Sequence, residues 1–267
     1  PVFELAEGVA ERFNVEEFVT VLSARAGSPE FLATLLQSLV CRGVDFEPVA
    51  EVQVFRDELL EREHPFGVLP LRRTALEHSL LLSRKHLGAE TRFEFPRSNP
   101  AQGLAPEVAT IVEAPASLRE ATRAWRRWES SQMLLHAPPG GPIDLRALPL
   151  ASVRGDGLRQ AETTASEVFV RLFDAGTQGG LPDLPSHHGR GALGTAAGRL
   201  AAFVALSAFV DGTPLVDVVG LVARADQCRW WLWEGTGWFS DVTWDFGGAC
   251  LRPDGLTLVA HAATDTD

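Results

Sequence analysis

Residues 228–267 read CRWWLWEGTGWFSDVTWDFGGACLRPDGLTLVAHAATDTD. Five of the chain's seven tryptophans, Trp230, Trp231, Trp233, Trp238 and Trp244, fall within this run. Large stiff rings suit the half-buried surface of a pleated sheet. Two turns interrupt them. One is Glu234-Gly-Thr-Gly237. The other is Arg252-Pro-Asp-Gly255, where proline fits the second position and glycine tolerates a left-handed backbone. Antiparallel hairpins are therefore expected. Trp238, Val242, Trp244 and Phe246 alternate with Asp241, Thr243 and Asp245, so one face should be core and the other polar.

Counting outward from the 252–255 turn sets Asp245 opposite Ala263, Thr243 opposite Asp265 and Gly247 opposite His261. Asp241, Asp245, Asp265 and His261 would then share one wall. Asp241 and Asp245 would stand about 13 Å apart along their strand. Asp245 and Asp265, as diagonal neighbours, would be about 7–8 Å apart, a span that oxygen donors can close around a hard cation. A metal-dependent hydrolase is the enzymatic reading of that wall. A solvated strand side with a frayed terminus is the commoner fate of such residues. A slip of one position would invert every assignment.

Upstream the pattern is helical. Asn14 with Glu17 forms a capping box for a helix to about Arg25, with Gly27 as the stop. Ser28-Pro29 opens a second helix, with Phe31, Leu35, Leu36 and Leu39 as its apolar stripe and Gly43 as its end. Further helices are expected over residues 48–63 and 71–87. Thr91 to Phe95 could be a short strand. Residues 96–106, rich in Pro, Asn and Gly, are the best boundary between a helical region 1–95 and an α+β region 96–267, which could equally be one continuous domain. Ser117 and Glu120 form another capping box, predicting a helix to about Leu135. A helix over 160–174 should bury Val168, Phe169, Leu172 and Phe173. GALGTAAGRLAAFVALSAFVDG predicts a closely packed central helix ending at Gly212. Residues 215–223 fit a strand or a helix. The expected class is α+β: a helical N-terminal half with a Trp-rich antiparallel sheet.

The composition narrows function. The 267 residues carry a net charge of −11, which disfavours nucleic acid as the main partner. Cys41, Cys228 and Cys250 are odd in number and widely spaced, which fits a reducing cytoplasm. The longest apolar run, 200–210, is about half of the ~20 residues needed to cross a bilayer, so no membrane span is expected. No signal peptide is expected either, although the chain begins at Pro1.

The remaining motifs are weak. Gly189 to Gly194 matches GxGxxG, but no strand feeds it. Asp183, His187 and His188 offer loop ligands, but no second compact His/Cys cluster completes the tetrahedral set that zinc normally takes. Arg119, Arg123 and Arg127 recur every four residues beside Trp125 and Trp128. With Trp231 and Trp233 they make a candidate binding patch, since arginine and tryptophan favour interfaces. Such a stripe is more often the solvent side of a helix. No GxSxG, HExxH or Walker loop is present, and no cofactor is assigned.

RGALGTAAGRLAAFVALSAF and WFSDVTWDFGGACLRPDGLTLVAHAATDTD resemble a bacterial, mostly actinobacterial, family of domains of unknown function. The resemblance covers the last eighty or so residues and implies a cytosolic bacterial protein whose ATDTD ending is its own C-terminus. It transfers no activity. The expectation is a non-enzymatic binding or accessory protein, an immunity-like partner of a basic protein. The acidic-wall hydrolase is the alternative.

Overall fold

The computed structural model describes residues 2–78, 80, 95, 103–123, 125–177, 194–239 and 245–264. Helix α1 spans Val2–Ala10. Asn14 caps α2 (Val15–Ser23), accepting from the Glu17 amide at 3.0 Å while its own amide donates to the Glu17 carboxylate at 2.8 Å. Two amides that a helix start leaves orphaned are thereby satisfied. Ser28 caps α3 (Pro29–Cys41), and its hydroxyl accepts from the Phe31 amide at 3.2 Å. Leu32, Leu35, Leu36 and Leu39 are buried along α3, whereas Phe31 is only partly covered. Helix α4 follows at Ala50–Glu61.

The helix expected over 71–87 is absent from its described portion, which holds a single 3-10 turn at Ala75–Glu77. Glu77 is turned inward and fully buried, where it caps Thr74 and pairs with Arg199. A continuing helix would carry that carboxylate away from its partner. Of the segment 91–95 only Phe95 is described, and it lies in no strand.

A six-stranded antiparallel sheet forms the C-terminal half. Its strands are β1 (Val108–Val112), β2 (Arg127–Leu135), β3 (Arg159–Thr163), β4 (Arg229–Glu234), β5 (Asp245–Leu251) and β6 (Thr257–Thr264). Their order is β1-β2-β6-β5-β4-β3. Three helices, α5 (Ala165–Thr177), α6 (Gly194–Val210) and α7 (Val218–Ala225), complete the fold. The α+β class stands.

One predicted helix became a strand, and the first residues of another did. Residues 116–122 form only a 3-10 segment, and 127–135 are β2. Alternation along β2 explains this: Glu129, Ser131, Met133 and Leu135 face one side, and Trp128, Ser130, Gln132 and Leu134 the other. Pairing with both β1 and β6 rewards that period over the four-residue spacing of the arginines. Likewise Arg159–Thr163 is β3, and α5 begins after the Thr164 hydroxyl accepts from the Glu167 amide at 3.2 Å. Val168, Phe169, Leu172 and Phe173 are buried as expected.

Both faces of the central strands β4, β5 and β6 are covered, so the expected polar face does not exist over their described residues. All eight residues of β6 are buried. On one side Trp230, Leu232, Phe246, Cys250, Val259 and Ala263 join the cluster that includes α1 to α7. On the other Trp231, Trp233, Ala249, Leu251 and Ala260 pack against Ile143, Leu145, Leu148, Val153, Trp238 and Phe239. Gly247 makes room for this layer, because a Cβ there would sit 2.6 Å from the Trp233 ring.

Helix α6 is the central rod. Small residues allow close approach: a Cβ on Gly198 would lie 2.9 Å from the Thr177 backbone of α5. Both ends are capped from elsewhere in the chain. Glu7 of α1 accepts from the Thr195 amide at 2.7 Å, from the Thr195 hydroxyl, and from Ser38 Oγ of α3 at 2.9 Å. Arg252 donates to the Phe209 and Ala208 carbonyls at 3.0 and 3.1 Å. The carboxylate and the guanidinium thus meet the helix poles of opposite sign.

Candidate functional site: a groove walled by α2, α3 and α4

Of the predicted acidic wall, the two described residues, Asp245 and His261, do not share a face. The observed register pairs Phe246 with Ala263 and Gly248 with His261, one position away from the expected count. Asp254 is the cause. Its carboxylate accepts from the Leu256 and Thr257 amides, each at 2.8 Å, and from the Thr257 hydroxyl at 2.7 Å. Leu256 is thereby drawn into the loop, and the Thr257 carbonyl closes the hairpin on the Arg252 amide at 2.9 Å. Burial raises the Asp254 pKa, but these hydrogen bonds and the Arg252 charge outweigh it and hold the group below its ordinary value.

His261 therefore faces the helices, on the side opposite Asp245. It is fully buried. Its Nδ1 lies 2.8 Å from Ser130 Oγ, and its Nε2 lies 2.8 Å from Thr122 Oγ1. Burial pushes its pKa down to about 3, with the Arg119 charge acting in the same direction. Asp245 instead accepts from Thr264 Oγ1 at 2.5 Å. Asp241 and Asp265 lie outside the described residues, as do Asp183, His187 and His188 and all of GRGALG except Gly194. Among the described residues no three His, Cys, Asp or Glu side chains are grouped to hold a metal ion.

The Arg–Trp patch is dispersed. Trp231 and Trp233 are 2% and 1% exposed, locked in the second layer of the sheet. The Arg119 guanidinium lies 3.4 Å over the Trp128 ring, and Arg123 pairs with Glu120 at 2.9 Å. Arg127 lies over Trp238 and donates to its carbonyl at 2.9 Å. The three arginines start from a 3-10 segment, its end and a strand, so no single helical face presents them.

A different site emerges in the N-terminal helices. Glu51, Val54, Phe55, Glu58 and Arg62 recur at helical spacing along α4 and its cap, and line one wall of a cavity of about 440 Å³. Leu22, Ser23, Arg25 and Gly27 at the end of α2, with Pro29 and Leu32 of α3, line the rest. Leu22, Leu32 and Phe55 form an apolar floor that is almost fully buried, while Val54 is 60% exposed at the mouth. The volume lies within the range of sites that hold a ligand or an anchoring side chain. From Glu51 to Arg62 the wall runs about 16 Å at the helical rise.

The ends of the two long walls are strained. Beyond α2, which ends at Ser23, the chain turns left-handed at Arg25, whose φ is 47°, instead of at Gly27. The Arg25 amide bonds to the Leu22 carbonyl and the Ala26 amide to Val21, the closure of a Schellman turn. Helix α4 ends the same way, with Glu63 at φ 55°. Among the described residues these two are the non-glycine residues with positive φ. Each conformation costs about 1–2 kcal/mol relative to glycine at that position, and such strain concentrates at functional sites. In return Arg25 is aimed at the groove rim, where it meets Glu58 at 3.3 Å.

Charge marks the same layer. Residues 2–63 hold thirteen carboxylates and five arginines, −8 of the whole chain's −11. The signal that could have revealed the groove was Val54, an apolar residue beside the Val52/Phe55/Leu59 core stripe with Glu51, Asp57 and Glu58 at helical spacing around it. Period counting alone absorbs it into the core.

Among the described residues no helix is long and apolar enough to cross a membrane. Neither a curated protein nor a solved structure matches the chain. A family model, described as a family of unknown function (DUF6183), matches residues 2–267. The match spans the N-terminal helices and the groove as well as the C-terminal sheet on which the resemblance was read, and the chain belongs to this family of unknown function.

Proposed function

We propose that this chain is a non-enzymatic binding protein whose α2–α4 groove takes a basic segment of a partner protein, anchored by one apolar side chain. One observation carries the reading: an apolar-floored cavity opens in the layer that holds most of the chain's negative charge. Glu51 and Glu58 balance Arg25 and Arg62 in the lining itself. The net −8 of residues 2–63 therefore attracts Lys and Arg from a distance, and the floor of Leu22, Leu32 and Phe55 rewards a single inserted side chain. The same charge repels phosphate backbones. An accessory or immunity-like role in a bacterial cytoplasm fits three unbridged, buried thiols. The hydrolase alternative needed Asp245 and His261 on one wall, and the strand register puts them on opposite faces.

A photo-crosslinking side chain at Val54 tests the proposal in extracts of the native host. Val54 is expected to yield a discrete adduct with a basic protein. The same probe at Val219, which is 74% exposed on α7, should not. The adduct should fade at about 1 M salt, where screening contracts to about 3 Å. Identical adducts from both positions, or an acidic adduct partner, would refute it.

A further inference from the structure

Cys228 and Cys250 are brought together by the β4–β5 hairpin. Trp230 stands opposite Cys250 in the ladder, and Cys228 lies two positions before Trp230. The two side chains are diagonal neighbours on the helix-facing side, and both are buried in the same apolar cluster. Cys228 Sγ also lies 3.4 Å from the Arg224 carbonyl. Cys250 is wholly enclosed, whereas Cys228 keeps 9% of its surface exposed.

We propose that Cys228 and Cys250 form a redox-modifiable dithiol site that closes to a disulfide by exchange with a small-molecule disulfide. Cys228 Sγ, as thiolate, attacks one sulfur of the small disulfide, forming a mixed disulfide and expelling one thiolate. That thiolate takes the proton from Cys250. Cys250 Sγ then attacks Cys228 Sγ and expels the second small thiolate, which is protonated by solvent. The protein pair loses two electrons, and the small disulfide is reduced to two thiols.

The two thiols are suited to different steps. Hydrogen bonding from Cys250 lowers the Cys228 pKa against the opposing effect of burial, and Arg252 adds to the lowering. Burial raises that of Cys250, and its bond to Cys228 raises it further. Cys228 is thus the nucleophile and Cys250 the resolving thiol. Cys41 is the internal control: it is buried, donates to the Thr195 carbonyl, and is pushed up to about 12 by burial.

Diagonal neighbours sit about 7–8 Å apart at Cα, slightly beyond the span of about 4.4–6.8 Å that a disulfide bridges. Cys228 precedes the first ladder pair, Arg229 with Leu251, so its backbone can close the difference without breaking a rung. A bridge made this way is strained and readily reduced, as a reversible modification requires.

Oxidised glutathione at pH 8 is the probe, followed by alkylation and non-reducing peptide mass spectrometry. The expected product is a linked pair of peptides carrying Cys228 and Cys250, two hydrogens lighter than the dithiol form. Cys41 should react at least about a thousandfold more slowly than an ordinary thiol, following its thiolate fraction. In Cys250→Ser the reaction should stop at a glutathione adduct on Cys228. A persistent adduct on wild-type Cys228 with no linkage, oxidation of Cys41 at the same rate, or no oxidation of either thiol would each overturn the proposal. The wild-type map alone decides if the variant does not fold.

Discussion

Arg199→Met is expected to destabilise the protein by about 3–5 kcal/mol, the usual cost of orphaning a buried charge. Arg199 is fully enclosed in α6, and each of its five N–H groups has an acceptor. Nε and Nη2 reach the two Glu77 oxygens at 2.7 and 3.0 Å. Nη1 donates to Pro70 O at 2.9 Å and to Gln37, and Nη2 also reaches Arg72 O at 2.9 Å. One side chain thus ties α6 to α3 and to the 70–77 segment. Removing it strands the Glu77 carboxylate at zero exposure, together with two backbone carbonyls. In a chain of this size the loss should lower Tm by about 6–20 °C. Urea denaturation of the single variant and of Arg199→Met/Glu77→Leu separates the causes. The double variant should recover part of the stability, because the unpaired charge is gone. Equal loss in both would mean that packing, and not the ion pair, sets the cost.

Acid should weaken the fold through His261. Its folded pKa of about 3 lies below the ordinary value of 6.5 for an unperturbed histidine. The unfolded chain therefore binds a proton that the native state refuses throughout that window. Stability from this group is complete above about pH 6.5 and is lost as pH falls towards 3. The full difference amounts to about 4–5 kcal/mol, of which about 3 kcal/mol is gone by pH 4. The cause is local. Thr122 and Ser130 hydroxyls occupy both ring nitrogens, and the Phe246 ring packs 5.9 Å away, so an imidazolium would be enclosed without a carboxylate. His261→Gln is expected to lower stability at pH 7 and to flatten the slope between pH 7 and 4, measured from urea midpoints. An unchanged slope would place the acid sensitivity elsewhere.

Local chemistry was legible in the sequence wherever partners lie a few residues apart. The Asn14/Glu17 box, the Ser28-Pro29 start and the α6 rod ending at Gly212 all have their determinants in one short stretch. The Arg252–Gly255 turn was legible as a turn but not in register. Proline and glycine announce the bend, whereas the Asp254 carboxylate, with its three donors, decides which residue pairs first. Residues 127–135 misled because arginines four apart suggest a helix, while β1 and β6 on either side reward alternation. The polar face failed for a long-range reason too: residues 143–153 fold back over Trp231 and Trp233. The groove was hidden because it needs three helices at once, and because an arginine, not the glycine two positions on, takes the left-handed turn that ends α2.

The central claim is that the apolar-floored α2–α4 groove, set in the helical layer that carries most of the chain's negative charge, seats a basic, anchored segment. Its most direct measurement is an amide-resolved NMR titration with acetyl-Lys-Lys-Phe-Lys-Lys-amide, using the Ala-centred peptide as reference. Burial of one ring in a half-open site should tighten binding by about tenfold, ~1.4 kcal/mol. The shifts should centre on Leu22, Ser23, Val54 and Phe55, and the Phe advantage should vanish in Val54→Asp. Equal affinity for both peptides, with shifts spread over the acidic surface, would contradict the account.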